Sequence, residues 1–111
     1  MLNQIILVGR LIKNPEIIRE NEKRKAVITL AIPRNYKNSE GIYETDFVDC
    51  ILWNEVATNT TEYCKKGDLI GIKGRIQTKA TEIDGQPKHI MEVVAEKVTF
   101  LASRKEESEE V

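Results

Sequence analysis

The sequence predicts an all-β domain: a small barrel of five short strands with a single helix between the third and the fourth. Apolar residues alternate with polar ones over Thr45–Trp53 and Asp68–Lys79, which is typical of strands with one buried face. After Trp53 the period changes, and apolar residues recur at helical spacing as far as Cys64. The length of 111 residues predicts one domain with a core of its own.

The predicted third strand, residues 45–53, has two faces that differ in kind. One face carries residues that suit a packed interior: Val48, Cys50 and Leu52. The other carries two aromatic rings and a carboxylate among its four residues: Phe47, Asp49, Ile51 and Trp53. Rings on an open sheet face can stack with nucleic-acid bases, because every base offers a π-face. Rings of this kind can equally lie beneath a loop or a partner subunit, and the residues alone leave both interpretations open.

The first two strands suggest how the barrel closes. Ile5–Leu11 is apolar on both faces, and Gly9 predicts a bulge or sharp bend that lets the strand curl. Arg10 follows this bend, where it either reaches the surface of the rings or is a solvated strand-end arginine. The second strand, Ala26–Ile32, is rich in β-branched residues and ends before Pro33, which cannot donate a ladder hydrogen bond.

Two polar segments flank the second strand. Residues 34–44 are predicted to form a long loop that carries Arg34, Tyr36 and Lys37. Two cations and a ring within four residues suit contact with a phosphate and a base, although a flexible loop with an incidental tyrosine is the alternative. Residues 21–25 are expected to be a solvated charged tip, with a phosphate contact as the less favoured interpretation.

The helix and the last two strands follow from local signals. Asn54 is predicted to be the N-cap, and Gly67 to end the helix after Lys65 and Lys66, which complement the helix dipole. Lys66 could also touch a phosphate. The fourth strand has an apolar face and a basic face, and the basic face includes Arg75 and Lys79. Five strands with a helix in this position are the arrangement of an OB-fold Greek-key barrel.

Asp84-Gly85 predicts the hairpin tip that leads into the fifth strand, His89–Leu101. His89 has no partner in sequence that would make it catalytic. The barrel is expected to span residues 1–102, followed by a short acidic tail, 103–111, without order.

Composition excludes several classes of protein. The net charge of −1 neither favours nor opposes nucleic acid, since residues 1–103 hold 15 basic and 14 acidic side chains. Two cysteines without CxxC spacing and one histidine are too few for a zinc site, and no metal or other cofactor is expected. We find no signal peptide and no apolar run long enough to span a bilayer, so a reducing, cytoplasmic location is expected.

An ordered series of motifs resembles the bacterial single-stranded DNA-binding proteins. The series begins with residues 3–11 and Asn14-Pro15-Glu16 and continues through residues 28–31, 45–53, 63–67, 74–78 and 92–95. No single motif carries the resemblance, which rests on the order of the set and covers residues 1–102.

The resemblance implies a homotetramer of OB folds that coats single-stranded DNA in replication, recombination and repair, in the cytoplasm and associated with the nucleoid. By position it assigns base stacking to Tyr36, Phe47 and Trp53. By weaker matches it assigns phosphate contacts to six cations: Arg10, Arg34, Lys37, Lys66, Arg75 and Lys79. It implies no catalytic residue.

Two departures from the family pattern matter. Thr81 stands where many relatives carry a further tryptophan, so one stacking ring is missing. The chain ends in Glu-Glu-Ser-Glu-Glu-Val, without the Gly/Pro/Gln-rich linker and acidic-hydrophobic tip that recruit replication and repair enzymes, so this recruitment is in doubt.

Three other interpretations remain. The chain could be an OB-fold paralogue that acts in primosome assembly or prefers RNA. It could be a nuclease with a metal held by Glu44, Asp46 and Asp49, although alternation places Asp49 on the opposite face from the other two. It could also be a structural protein with its rings buried between subunits.

Overall fold

The computed structural model describes residues 1–104. Its elements are β1 Ile5–Leu11, β2 Ile18–Glu20, β3 Lys23–Lys37, β4 Tyr43–Trp53, α1 Asn54–Tyr63, β5 Leu69–Ile83 and β6 Gln86–Ala102. The sheet order is β1-β5-β6-β4-β3-β2, and an additional pairing of β1 with β3 closes it. Because β2 pairs only at the edge of β3, the closed barrel has five strands. This confirms the predicted all-β class and OB fold with one helix. The acidic tail lies, from residue 105 onwards, outside the described residues.

The barrel closes where β1 changes its partner. Residues 5–10 pair with β5, and Arg10 and Leu11 pair with β3. A Cβ atom at Gly9 would lie 2.8 Å from the carbonyl oxygen of Ala31 and 2.8 Å from Cγ1 of Ile32. The strand pairings show no register shift within β1, so of the predicted bulge or sharp bend the bulge is wrong. Glycine is needed there because the backbone of β3 comes close.

The core fills the barrel from the inward faces of the strands and one side of α1. Its buried members are Leu11, Ala26, Ile28, Leu30, Cys50, Leu52, Ala57, Cys64, Ile70, Ile72 and Ala95. Val48 packs against this cluster, so the interior face predicted for residues 45–53 is confirmed. Among the described residues, no helix is long and apolar enough to cross a membrane.

The loop predicted over residues 34–44 is wrong. Both strands continue into it as an antiparallel arm, and only residues 38–42 form the tip. Asn38 makes so short a turn possible: its side-chain oxygen accepts hydrogen bonds from the backbone N–H groups of Glu40 (2.8 Å) and Ile42 (3.0 Å). The pairing of β3 with β4 is irregular between Pro33 and Lys37, which is the part of the arm that holds Arg34.

Arg34 ties the two strands of this arm together. Its guanidinium donates to Asp46 (2.9 Å to Oδ1) and to Glu44 (2.7 Å to Oε2). The hydrogen bond from Arg34 is the main cause that lowers the pKa of Asp46 below its ordinary value of 3.8.

The predicted helix caps are also wrong. No side chain among the described residues caps the first turn of α1, and Asn54 has a φ of +52° at its first position. The helix ends at Tyr63, four residues before Gly67, which has a φ of +92°. The N–H of Gly67 donates to the carbonyl of Leu11 (2.8 Å), which holds the turn between α1 and β5 against the end of β1. The positive φ in this turn, and not helix termination, explains the glycine.

The two tight hairpin tips have a common geometry. Asp84 and Gly85 have φ values of +51° and +77°, which confirms the predicted tip between β5 and β6. Asn21 and Glu22 have φ values of +52° and +65°, so only these two residues of the charged segment 21–25 form a tip.

We expect Gly9→Ala to lower the free energy of unfolding by about 1–3 kcal/mol, because the new methyl group overpacks the contact between β1 and β3. Urea denaturation at fixed protein concentration measures the change. Gly71→Ala is the matched control: its nearest neighbour would be 3.7 Å away, and its φ is not positive. Equal effects of the two substitutions would contradict the close approach at Gly9.

We expect Arg34→Gln to raise the pKa of Asp46 towards 3.8, as followed by NMR of its carboxyl carbon. Since the folded-state pKa lies below the unfolded-state value, the stabilisation is present above the unfolded-state pKa. It is lost as the pH falls through the folded-state pKa. Identical Asp46 titrations in the two proteins would show that Arg34 does not hold this carboxylate.

Candidate nucleic-acid interface

Strands β3 and β4 present a common outer face, defined by the residues that point away from the core. Its cross-strand pairs are Lys25 with Trp53, Val27 with Ile51, Thr29 with Asp49, and Ala31 with Phe47. Partners directly opposite each other project to the same side of a sheet. The outer face therefore carries both rings predicted from the alternation of residues 45–53.

Phe47 is the open ring of this face. Its side chain is 65% exposed, although large apolar side chains are usually buried. The reason is local, since its cross-strand partner Ala31 is too small to cover it. An uncovered ring on a rigid strand is available to stack against a flat apolar ligand.

Trp53 is half-buried and carries a cation. The Nζ atom of Lys25 lies 5.3 Å from the centroid of its ring, within range of a cation–π interaction. The same ammonium is 3.2 Å from Oε2 of Glu20. Sequence reasoning placed Lys25 in a solvated tip. The register that sets it opposite Trp53 could not be read from composition.

The two rings do not form a continuous surface. Six residues along β4 separate them by about 20 Å at the usual strand rise. Ile51 lies between them and is only 9% exposed, so the face predicted to be open is covered at its centre. A ligand that touches both rings must therefore extend over about 20 Å of the strand.

Tyr36 is exposed, but it lies on β3 and not in a loop. It precedes Lys37, which pairs with Tyr43, so it lies about three residues of β4 from Phe47, or roughly 10 Å along the sheet, and not next to that ring. Sequence reasoning missed Tyr43, an exposed ring on β4 at the same alternation as Phe47. The Nζ atom of Lys37 lies 5.6 Å from the Tyr43 ring centroid.

Three of the six side chains that were predicted to contact phosphate form hydrogen bonds with protein groups. Arg10 lies opposite Ala31 on the outer side of β1, and its guanidinium donates to the carbonyl of Gly67 (2.9 Å). Arg34 is held by its two carboxylates. Arg75 donates to Oε1 of Gln77 (2.8 Å).

Arg75 nevertheless lies on the outward side of the neighbouring strands. It pairs with Val94 on β6, and Val94 pairs with Ile51 on β4. These pairings place Arg75 two strands from the centre of the outer face. Lys79 lies farther along β5, exposed on the β5–β6 arm, and Lys66 is exposed in the turn after α1.

The acidic residues do not form a metal site. Glu44 and Asp46 both hold Arg34, and Asp49 accepts a hydrogen bond from the Thr29 hydroxyl on the outer face. Within the described part of the chain, no group of three His, Cys, Asp or Glu side chains could hold a metal ion. The arrangement therefore gives no support to the nuclease interpretation.

Comparison with known proteins identifies the family of the chain. Residues 2–101 match the model of the single-strand binding protein family. The chain is 45% identical over 104 residues to single-stranded DNA-binding protein B of Bacillus subtilis (strain 168), with 91% of each chain covered. It is 40% identical over 108 residues to single-stranded DNA-binding protein 1 of Clostridium acetobutylicum, with 95% of this chain and 98% of the relative covered.

Some relatives are longer. The chain is 44% identical over 107 residues to single-stranded DNA-binding protein 3 of Listeria innocua, but the match spans 94% of this chain and 66% of that protein. Since the family match covers nearly every described residue, the chain belongs to the single-strand binding protein family.

Proposed function

We propose that this chain binds single-stranded DNA without regard to base sequence and coats it during replication, recombination and repair. The observation that carries the proposal is the exposed Phe47 ring on an outer face that also holds Trp53. Membership of a non-enzymatic DNA-binding family supports it, as do relatives named as single-stranded DNA-binding proteins. The chain is a binding protein and not an enzyme.

Stacking supplies the first contribution to binding. Bases leave water to lie against Phe47, Trp53 and Tyr36, at about 1–3 kcal/mol per base, the range that alanine substitution gives for single-strand binding proteins as a class. The rings are far apart, so they engage separate nucleotides. Any base can stack, and this contribution is therefore tolerant of sequence.

Phosphate neutralisation supplies the second contribution. The proposed cations are Arg10, Arg34, Lys37, Lys66, Arg75 and Lys79. Lys37 and Lys66 are exposed, whereas Arg34 must exchange carboxylate partners for phosphate. Contacts to the backbone read no base edges, so they add affinity without sequence preference.

We further propose that the chain acts in the cytoplasm, at the nucleoid, as a homo-oligomer that the family resemblance makes a tetramer. Ile6 is 68% exposed on the outer side of β1, near the exposed Val8 and Leu101. A contiguous apolar patch of this kind is typical of a protein interface. A second copy of the chain fits it, because β3 pairs with β1 only at Arg10 and Leu11 and leaves that edge of residues 5–9 open.

We expect dT oligomers to quench Trp53 fluorescence, and Phe47→Ala and Trp53→Ala each to weaken binding by about 1–3 kcal/mol while the barrel stays folded. Fluorescence anisotropy measures the binding of dT, and circular dichroism shows whether the barrel stays folded. Tyr63→Ala is the control, because this ring is 75% exposed on α1 and does not lie on the outer face. Equal losses for Tyr63 and Phe47, or tighter binding to RNA of the same sequence, would contradict the proposal.

We expect Ile6→Glu combined with Val8→Glu to dissociate the oligomer, because like charges from both copies would be buried in the interface. Light scattering measures the mass, and Ile42→Glu, at an exposed apolar residue of the β3–β4 tip, is the control. A wild-type protein that is a monomer at micromolar concentration would refute this part of the proposal.

A further inference from the structure

A groove lies beside the outer face, between the turn after β1 and the strands β2 and β3. Its volume is about 400 Å³, and its lining is Lys13, Asn14, Glu16, Ile18, Val27 and Lys66. Of these six residues, only Lys66 was expected from the sequence to touch DNA. We call these six residues the lysine groove.

The lysine groove is continuous with the outer face. Val27 belongs to both, and it lies opposite Ile51 on β4. Ile18 lies opposite Lys25, which in turn lies opposite Trp53. A strand of DNA that passes from Trp53 across β3 therefore reaches the groove without leaving the same side of the sheet.

The groove combines an apolar floor with cations. Ile18 and Val27 are both exposed, so their side chains can receive a base. Lys13 and Lys66 are exposed, and within residues 1–104 neither ammonium forms an ion pair. Glu16 is the single carboxylate of the lining, and the two lysines outweigh it.

The walls of the groove are joined. The backbone N–H of Lys66 donates to Oδ1 of Asn14 (2.8 Å), which fixes the turn after α1 against the turn after β1. The nearby N–H of Gly67 donates to Leu11, so the barrel itself holds this wall. A groove with fixed walls requires little reorganisation when a ligand enters, which favours binding.

We propose that the lysine groove is a nucleotide subsite, in which a base lies on Ile18 and Val27 and its phosphate lies between Lys13 and Lys66. This subsite deepens the proposed function and rests on it. The chemistry selects a nucleotide over a purely apolar ligand, because a floor that takes a flat base has two ammonium groups at its rim.

The first test removes charged side chains from the groove. Lys13→Gln with Lys66→Gln removes two phosphate contacts and reduces the slope of log K against log salt by about 0.7 for each. Glu16→Gln removes the opposing charge and strengthens binding to dT. Lys65→Gln, one residue from Lys66 but outside the groove lining, leaves the slope unchanged.

Protection of a thiol gives the second test. Ile18→Cys places a thiol on the floor, where bound dT slows its alkylation by iodoacetamide. The native thiols contribute little background, because Cys50 and Cys64 are buried and burial raises the pKa of Cys50 to about 11 and that of Cys64 above its ordinary value. Glu62→Cys, exposed on α1, is the control that dT does not protect.

The outcomes separate the subsite from the proposed function. Quenching of Trp53 by dT, together with an unprotected Ile18→Cys thiol and a wild-type salt slope in the lysine double variant, overturns the subsite alone. Absence of both quenching and binding in the wild-type protein overturns the proposed function. A change in the salt slope of about 0.7 for Lys65→Gln, the value expected for each groove lysine, also overturns the subsite, since it shows that only overall charge matters.

Discussion

The site depends on the closure of the barrel by β1. Two residues, Arg10 and Leu11, pair with β3 while the rest of the strand pairs with β5, and Gly9 permits the approach because it has no Cβ atom. Strand β3 pairs with β1 on one side and with β4 on the other, in the register that sets Ala31 against Phe47. A bulky residue in place of Ala31 would cover the ring. The exposure of Phe47 thus depends on the small residue that faces it on β3.

The positions of the lysine and arginine side chains, and not the net charge of the protein, account for the proposed attraction to DNA. With a net charge of −1, the chain has no general attraction for a polyanion. Arg34 is held by Glu44 and Asp46, and Arg10 donates to Gly67, so in the proposed complex both guanidinium groups must exchange a protein partner for a phosphate. Lys13 and Lys66 need no such exchange. We therefore assign a larger share of the salt-dependent affinity to lysines at the edge of the outer face than to its arginines.

The sequence predicted those features that depend on neighbours along the chain. Alternation over residues 45–53 separated the core face from the ring face, and Asp84-Gly85 located a hairpin tip. The failures occur where a side-chain or tertiary contact decides. Gly67 resembles a helix end, but its N–H is held by Leu11, and residues 34–44 resemble a loop until Asn38 closes the turn and Arg34 bridges the arm. Lys25 lies on Trp53 only because of the β3–β4 register. No local pattern encodes such a register.

The position of Lys25 couples the two contributions to binding. A cation–π interaction contributes about 0.5–1 kcal/mol at an exposed ring and about 2 kcal/mol at a desolvated one, and a stacked base contributes about 1–3 kcal/mol. In the proposed complex, a base that stacks on the lysine side of Trp53 displaces the ammonium, and the two contributions are of similar size. The displaced Lys25 stays beside the nucleotide it yields to, because its backbone is fixed opposite Trp53, and there it can pair with the adjacent phosphate. In the proposed complex, stacking at this ring thus brings its own neutralising charge, whatever the base.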